Sequence, residues 1–333
     1  MTRTRTDPVG PVDAPLEALS YICNIMNPLS FYTTIGSDPE REESRRSIAV
    51  VSPSPKRMSD RECVAFLQWA LPRLGMRWAG YRRVRRQVCK RIARRLRKLD
   101  LPDVDAYRLH LEAQPEEWEV LDGLCRVTVS RFYRDRGVFD CLRDAVLPSL
   151  AEAASARGER ALRAWLAGCA SGEEAYTLKA AWELCLRSRF PELSLRLLAT
   201  DADANLLARA RRGRYGESSL KDFPEAWRGA VFERRDGEFS VRPAFRQGIE
   251  LQVGDLRGEL PEGPFHVILC RNVAFTYFDE PLQRRTAARL AERCVVGGAL
   301  VIGVHEAIPD GDAAFRPWNA APGIYRRTDG GAS

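Results

Sequence analysis

A chain of 333 residues with 45% hydrophobic content is long enough for two domains and a sizeable core. No apolar run reaches the length of a membrane span, and no signal peptide with a cationic start and continuous apolar core is present, so a cytoplasmic protein without membrane insertion is expected. The net charge of +7 is unevenly placed and directs attention to acidic partners. The nine cysteines, at 23, 63, 89, 125, 141, 169, 185, 270 and 294, form no C-x-x-C pair. That pattern argues against a disulfide framework and a metal site, and for buried thiols.

Residues 1–57 lack sustained periodicity and end in Ser52-Pro-Ser-Pro-Lys56, which reads as a flexible tail. Met58 opens the regular part and is a candidate start. Residues 58–128 read as a small helical domain. Within it, Arg77 to Lys98 holds eleven basic residues, while Tyr81, Val84, Val88, Ile92, Leu96 and Leu99 recur at helical spacing. One amphipathic helix with a strongly basic face is predicted, suited to docking an acidic partner. Nucleic acid is disfavoured, because only Trp78 and Tyr81 offer stacking surfaces.

A linker and helix over 129–160 lead to residues 161–327, where strand and helix patterns alternate. Ala164 to Ala167 is a short apolar strand that breaks at Gly168 and Gly172, and a helical pattern follows from Glu173 to Leu186. The turn is neither G-x-G-x-x-G nor a P-loop, and Glu173 and Glu174 would repel a polyanion and attract a cation such as an ammonium or sulfonium. Leu195 to Asp201 is a strand ending in a carboxylate, placed as an acceptor for ribose hydroxyls. Phe265 to Asn272 and Gly298 to Val304 are further strands, the last entered through a Gly297-Gly298 turn. Helical patterns cover Ala204 to Arg212 and Glu280 to Cys294. Residues 228–250 carry a hairpin signal around Asp236-Gly237. An α/β fold with a mostly parallel sheet and a ligand crevice at the strand C-termini follows. The end, Thr328 to Ser333, is expected to fray.

Several segments, in order, resemble the chemotaxis receptor methyltransferase (CheR) family of S-adenosylmethionine-dependent enzymes. They are Ser130-Arg-Phe-Tyr-Arg-Asp135, Ala167-Gly-Cys-Ala-Ser-Gly-Glu-Glu-Ala-Tyr176, Ala199-Thr-Asp-Ala-Asp203, Ala208-Arg-Ala-Arg-Arg-Gly-Arg-Tyr215, Cys270-Arg-Asn-Val273, Tyr277-Phe-Asp279 and Gly297-Gly298. The resemblance implies a small all-α domain followed by a Rossmann-like class I methyltransferase domain with a small β-subdomain over 228–250. It implies methyl transfer from S-adenosyl-L-methionine to glutamate side chains of chemoreceptors, giving γ-methyl esters and S-adenosyl-L-homocysteine. The basic helix would then face an acidic helical region of the receptor. A cofactor-binding scaffold without turnover, or a methyltransferase for another acceptor, is the alternative. Nothing suggests an obligate oligomer, and a monomer is expected.

Residue by residue, the resemblance assigns Arg134 and Tyr277 to the catalytic centre, Arg134 also beside the methionyl part of the cofactor. It assigns Thr128, Ser130, Gly168, Glu173, Glu174, Asp201, Asp255, Leu256, Arg271 and Asn272 to cofactor binding, with one of the two glutamates on the ammonium. Three features depart from the family pattern. Thr128 stands where Asn is common. Asp255-Leu256 replaces Asn-Leu near the adenine, where an aspartate could still accept from the amino group. The segment from Asn272 to Tyr277 is one residue longer than usual. The chemistry needs no proton removed, since a Glu acceptor is already ionised at neutral pH. Alignment and water exclusion are what the residues must supply. His305, at a predicted strand end, is a further residue that could face the crevice.

Overall fold

The structure is a computed structural model that describes residues 58–310, 314–318 and 321–329; the tail expected over 1–57 lies outside them. The first helix, α1 (Asp60–Ala70), starts at a capping box in which the Ser59 hydroxyl accepts from the Glu62 N–H while the Glu62 carboxylate accepts from the Ser59 N–H. The short α2 (Trp78–Tyr81) follows, then α3 (Arg85–Lys98), α4 (Val104–Ala113) and α5 (Glu117–Cys125). These helices share one core built on Phe66, Leu67, Tyr81, Val88, Ile92, Leu96, Tyr107 and Leu121. The basic segment is therefore two helices and not one. The chain turns at Arg82–Val84, yet Tyr81, Val88, Ile92 and Leu96 all stay buried, so the apolar stripe runs through the break in phase. Cys63 of α1 and Cys89 of α3 form a disulfide with Cα atoms 6.0 Å apart, which corrects the all-thiol expectation. Helix packing and not sequence spacing brings this pair together.

After α6 (Arg136–Cys141) and α7 (Leu147–Ala156), joined by a π-helical turn, the sheet begins with β1 (Ala161–Ala167). Then come α8 (Glu173–Ala181), β2 (Ser194–Asp201), α9 (Ala204–Arg212), β3 (Arg214–Tyr215), α10 (Glu225–Val231), β4 (Phe232–Arg235), β5 (Glu238–Val241), β6 (Ile249–Val253), β7 (Phe265–Leu269), α11 (Ala274–Tyr277), α12 (Glu280–Arg293), β8 (Cys294–Val301), β9 (Phe315–Pro317) and β10 (Ile324–Arg327). The main sheet has seven strands in the order β6-β2-β1-β7-β8-β10-β9, parallel except for β10. Both faces are covered. On β1, Leu162, Ala164 and Leu166 enter one core, while Trp165 and Ala167 enter the other. Two-sided burial is why these strands read as apolar runs, interrupted by Arg163 in β1 and by the exposed Arg196 in β2.

A second sheet of three strands, β3-β5-β4, includes the expected hairpin, with Asp236 (φ 51°) and Gly237 (φ 79°) in its tight turn. Strand β8 starts at Cys294, before the two glycines, because Gly297 at φ 80° lies inside the strand and does not precede it. Thr328, placed in the expected frayed end, is tied down, its N–H donating to the Ala314 carbonyl at 2.8 Å; residues 330–333 lie outside the described ones.

The helical part is stitched to the sheet part, and both belong to one compact unit. The Arg77 N–H donates to the Tyr277 carbonyl at 2.8 Å, and the Asp279 N–H donates to the Gly75 carbonyl at 2.8 Å. The Arg77 guanidinium adds bonds to the carbonyls of Thr276 (3.0 Å) and Phe275. Gly80 lies flat on this seam, where a Cβ would stand inside van der Waals contact with the Thr276 carbonyl. The segment before Tyr277 folds as the helical turn α11, whose position the seam sets. Gly80→Ala is therefore expected to destabilise the protein by about 1–3 kcal/mol, read by denaturant unfolding. It should also lower activity, because α11 must shift; an unchanged midpoint would show that the seam yields freely.

Candidate functional site

A cleft opens at the C-terminal ends of the parallel strands, as the topology requires. Its walls include Gly168 after β1, Asp201 at the end of β2, Gly254, Asp255 and Leu256 after β6, and Asn272 and Val273 after β7. Tyr81, Arg126 and Thr128 close it from the helical side, and Tyr277 and Phe278 from the seam. Two backbone features shape its floor. Gly168 has φ 82°, and a Cβ there would come 2.7 Å from Val273 Cγ2. Ala170 donates its N–H to Asp201 Oδ2 at 2.8 Å, while the Asp203 N–H donates to Oδ1 at 2.9 Å. Burial raises the Asp201 carboxyl above its ordinary range, against these two bonds that favour ionisation.

A second cavity adjoins the first and shares Val127, Asn272 and Tyr277 with it. Arg77, Arg82, Arg83 and Arg134 line it, together with the exposed His305. Tyr277 thus stands between a cleft containing carboxylates and a vestibule lined by guanidinium groups. Its ring packs 5.1 Å from that of Tyr81. Burial pushes its hydroxyl up to about 12, so it is a neutral phenol at physiological pH.

The sequence-derived residues divide into two groups. Thr128, Gly168, Asp201, Asp255, Leu256, Asn272 and Tyr277 meet in the cleft, and Arg134 lies in the vestibule. Ser130, Glu173, Glu174 and Arg271 do not line the cleft. Arg271 has a fully buried side chain and is bonded to Asp135 Oδ2 at 2.6 Å and to Glu174 Oε1. With a further bond from Nη2 to the Arg134 carbonyl at 3.2 Å, it ties the loop that bears Arg134 to the first turn of α8. Glu173 is 2% exposed; its Oε1 accepts from the Ser171 hydroxyl at 2.8 Å, and its Oε2 has no partner among the described residues.

Asp255 is also differently engaged than expected. Its Oδ1 accepts from the Arg257 backbone N–H and Nε, and its Oδ2 from Arg257 Nη2 at 2.7 Å and Arg126 Nη2 at 3.5 Å, so both oxygens are already in use.

Two residues at the site escaped sequence reasoning. Arg126 follows a helix and matches no motif. The Glu306 carboxylate accepts from the N–H groups of Asn272 (2.8 Å) and Gly303 (2.6 Å) and from the Thr276 hydroxyl (2.5 Å). It therefore fixes the loop that carries Asn272 in its left-handed conformation (φ 56°). Both act through partners remote in sequence, which no local pattern reveals.

The residues present fit S-adenosylmethionine. Asp201 offers acceptors for ribose, Leu206, Leu256 and Phe278 offer apolar walls for a flat base, and Asp201 and Asp203 favour a ligand carrying cationic centres. Fold and cleft together define a class I S-adenosylmethionine-dependent methyltransferase. The family described as "CheR methyltransferase, SAM binding domain" matches residues 128–324. A probable chemotaxis protein methyltransferase of Rhizobium etli is 34% identical, over 73% of this chain and 92% of its own. A chemotaxis protein methyltransferase of Listeria monocytogenes is 33% identical, over 60% of this chain and 72% of its own. An uncharacterized 104.1 kDa protein of Rhodobacter capsulatus is 31% identical over 74% of this chain but only 26% of its own length, so a similar unit also occurs within a longer chain. The chain belongs to the CheR methyltransferase family.

Two outcomes test this geometry. Arg271→Ala strands the carboxylates of Glu174 and Asp135 and is expected to cost about 3–5 kcal/mol of stability in chemical denaturation. Because the Asp201 carboxyl is raised, on acidification it takes up a proton at a higher pH than an exposed aspartate does, and it then loses acceptor capacity. Cofactor affinity measured by calorimetry should therefore begin to fall above the ordinary aspartate value of 3.8 as pH drops. Asp201→Asn should weaken binding about tenfold or more and flatten that dependence; a wild-type acid limb retained in the variant would assign the titration elsewhere.

Proposed function

We propose that this protein transfers a methyl group from S-adenosylmethionine to glutamate side chains of an acidic, helical, chemoreceptor-like protein, giving γ-methyl esters. The observation that carries the reading is the joining of the cofactor cleft to an arginine-lined vestibule at Tyr277. The bound cofactor supplies an electrophilic methyl on a sulfonium. Arg134, whose Nη1 donates to the Val129 carbonyl at 3.1 Å, has donors left to orient an incoming carboxylate. Tyr277, neutral and half-buried, lines the passage and excludes water that would otherwise solvate the nucleophile. A glutamate acceptor arrives ionised, so no general base is required.

The basic helices support docking of an acidic partner, in a narrower form than the sequence suggested. Arg85 is committed to Asp60 at 3.0 Å, Arg95 to Glu117, and Arg91 to the Leu124 carbonyl at 3.2 Å and to that of Arg126. Arg82 and Arg83 face the vestibule, and Arg86, Lys90, Arg94 and Arg97 line a neighbouring basic groove.

The test uses purified protein, tritiated S-adenosylmethionine and candidate receptor cytoplasmic fragments, with base-labile methanol as the readout of a carboxyl ester. Arg134→Ala is expected to lower kcat/KM by about 10²–10³-fold with unfolding unchanged. Combined Arg82→Glu and Arg86→Glu should raise the KM for acceptor about tenfold while the cofactor Kd stays within about twofold. Base-stable label on the acceptor would refute the glutamate ester, and an equal loss of cofactor and acceptor binding would refute docking.

A further inference from the structure

Four charged residues join the helical and sheet parts at one end of the cofactor cleft. Asp122 of α5 is held bidentately by Arg257, with Nη1 to Oδ1 at 2.6 Å and Nη2 to Oδ2 at 2.7 Å. Arg257 also grips Asp255, as described above. Arg126 completes the group. Its Nη2 donates to Asp122 Oδ2 at 3.1 Å and to Asp255 Oδ2 at 3.5 Å, and its Nη1 donates to the Ala202 carbonyl at 2.8 Å. Ala202 is the residue between Asp201 and Asp203, so this guanidinium is anchored by three partners, one of them next to Asp201 in the chain.

Three facts bear on what it meets there. Arg126 lines the cleft and keeps a partly exposed side chain. A guanidinium has five N–H donors; the three bonds above use at most three of them, leaving at least two without a partner among the described residues. Asp255, the acceptor expected to take the adenine amino group, has both oxygens occupied by arginines. Burial would raise that carboxyl, but Arg257 and then Arg126 hold it below the usual range, so it remains an ionised acceptor and never a donor at neutral pH. In a parallel sheet with the ribose acid at the end of β2, the base lies toward the next strand, β6, where Leu256 forms the apolar wall.

We propose that Arg126 reads the adenine of the cofactor by donating hydrogen bonds to its ring nitrogens, and that Asp122, Asp255 and Arg257 are positioning residues that aim it. Adenine offers acceptors at N1, N3 and N7, and a planar fork fixed by two carboxylates and a carbonyl is already ordered before the ligand arrives, so little entropy is lost on binding. In this chain the adenine end has thus exchanged an acceptor for a donor. The proposal concerns the cofactor alone and does not depend on the identity of the methyl acceptor.

The experiment is calorimetric titration of wild type, Arg126→Ala and Arg126→Met with S-adenosylhomocysteine and its 1-deaza, 3-deaza and 7-deaza analogues, each lacking one ring nitrogen. Wild type is expected to bind at least one analogue about tenfold more weakly than the parent. Both variants should bind the parent about tenfold more weakly and show no such discrimination. Arg257 still pairs Asp122 with Asp255 in both, and the methionine variant also preserves the packing of the stem if the alanine variant folds poorly. Equal affinity of wild type for all four ligands overturns the proposal. So does discrimination that survives in the variants, because a purely structural latch would lower the melting temperature and leave the ratio between analogues untouched.

Discussion

The placement of Tyr277 between the two cavities depends on the seam between Gly75–Tyr81 and Phe275–Asp279. The class I sheet brings the strand ends together, as it would in any doubly wound fold, but it leaves the far side of the crevice open. The helical part supplies that side, through Tyr81, Arg126 and Thr128. Its placement rests on main-chain hydrogen bonds, on a guanidinium caught by two carbonyls, and on a glycine that admits no side chain. Tyr277 is the product of this contact. It packs at once against the core of the helical part and against one face of the sheet, so a change in either is transmitted to the junction of the two cavities.

The sheet was legible in the sequence because strands buried on both faces read as apolar runs with polar ends. Asp201 could be picked out for the same reason: it is the charge that ends the apolar stretch Leu197–Thr200. The break in the basic segment was not legible, because Tyr81, Val84 and Val88 keep helical spacing through a turn that preserves phase. Arg271 follows the strand next to Asn272, and its ion pairs with Glu174 and Asp135, remote in sequence, carry no local signature either. Residues whose work depends on distant partners, such as Arg126 on Ala202 or Glu306 on Asn272, carry no local signature.

The basic helices also show that a count of charges overstates a docking surface. Arg95 satisfies Glu117, which also accepts from the Tyr107 hydroxyl at 2.7 Å; Arg91 caps the end of α5; and Arg77 binds the seam. Arg95 is neutralised by Glu117, while Arg91 and Arg77 commit donors to neutral carbonyls. Among the described residues, Arg86, Lys90, Arg94 and Arg97 on the outer stripe of α3 form no ion pair and keep donors for a partner.

That outer stripe has a cost inside its own helix. Arg86, Lys90, Arg94 and Arg97 follow one another at spacings of four, four and three, so like charges stand on successive turns and repel. At physiological ionic strength screening acts over about 8 Å, comparable to the distance between neighbours on the stripe, so the repulsion is felt locally while the field fades quickly outward. For the acidic partner proposed above, such a surface would act as a short-range trap, retaining a helix that has already collided with it more than raising the rate of distant encounters. The Cys63–Cys89 bond enters the same helix between Arg86 and Lys90. It ties this helix to α1 without neutralising any of its cations.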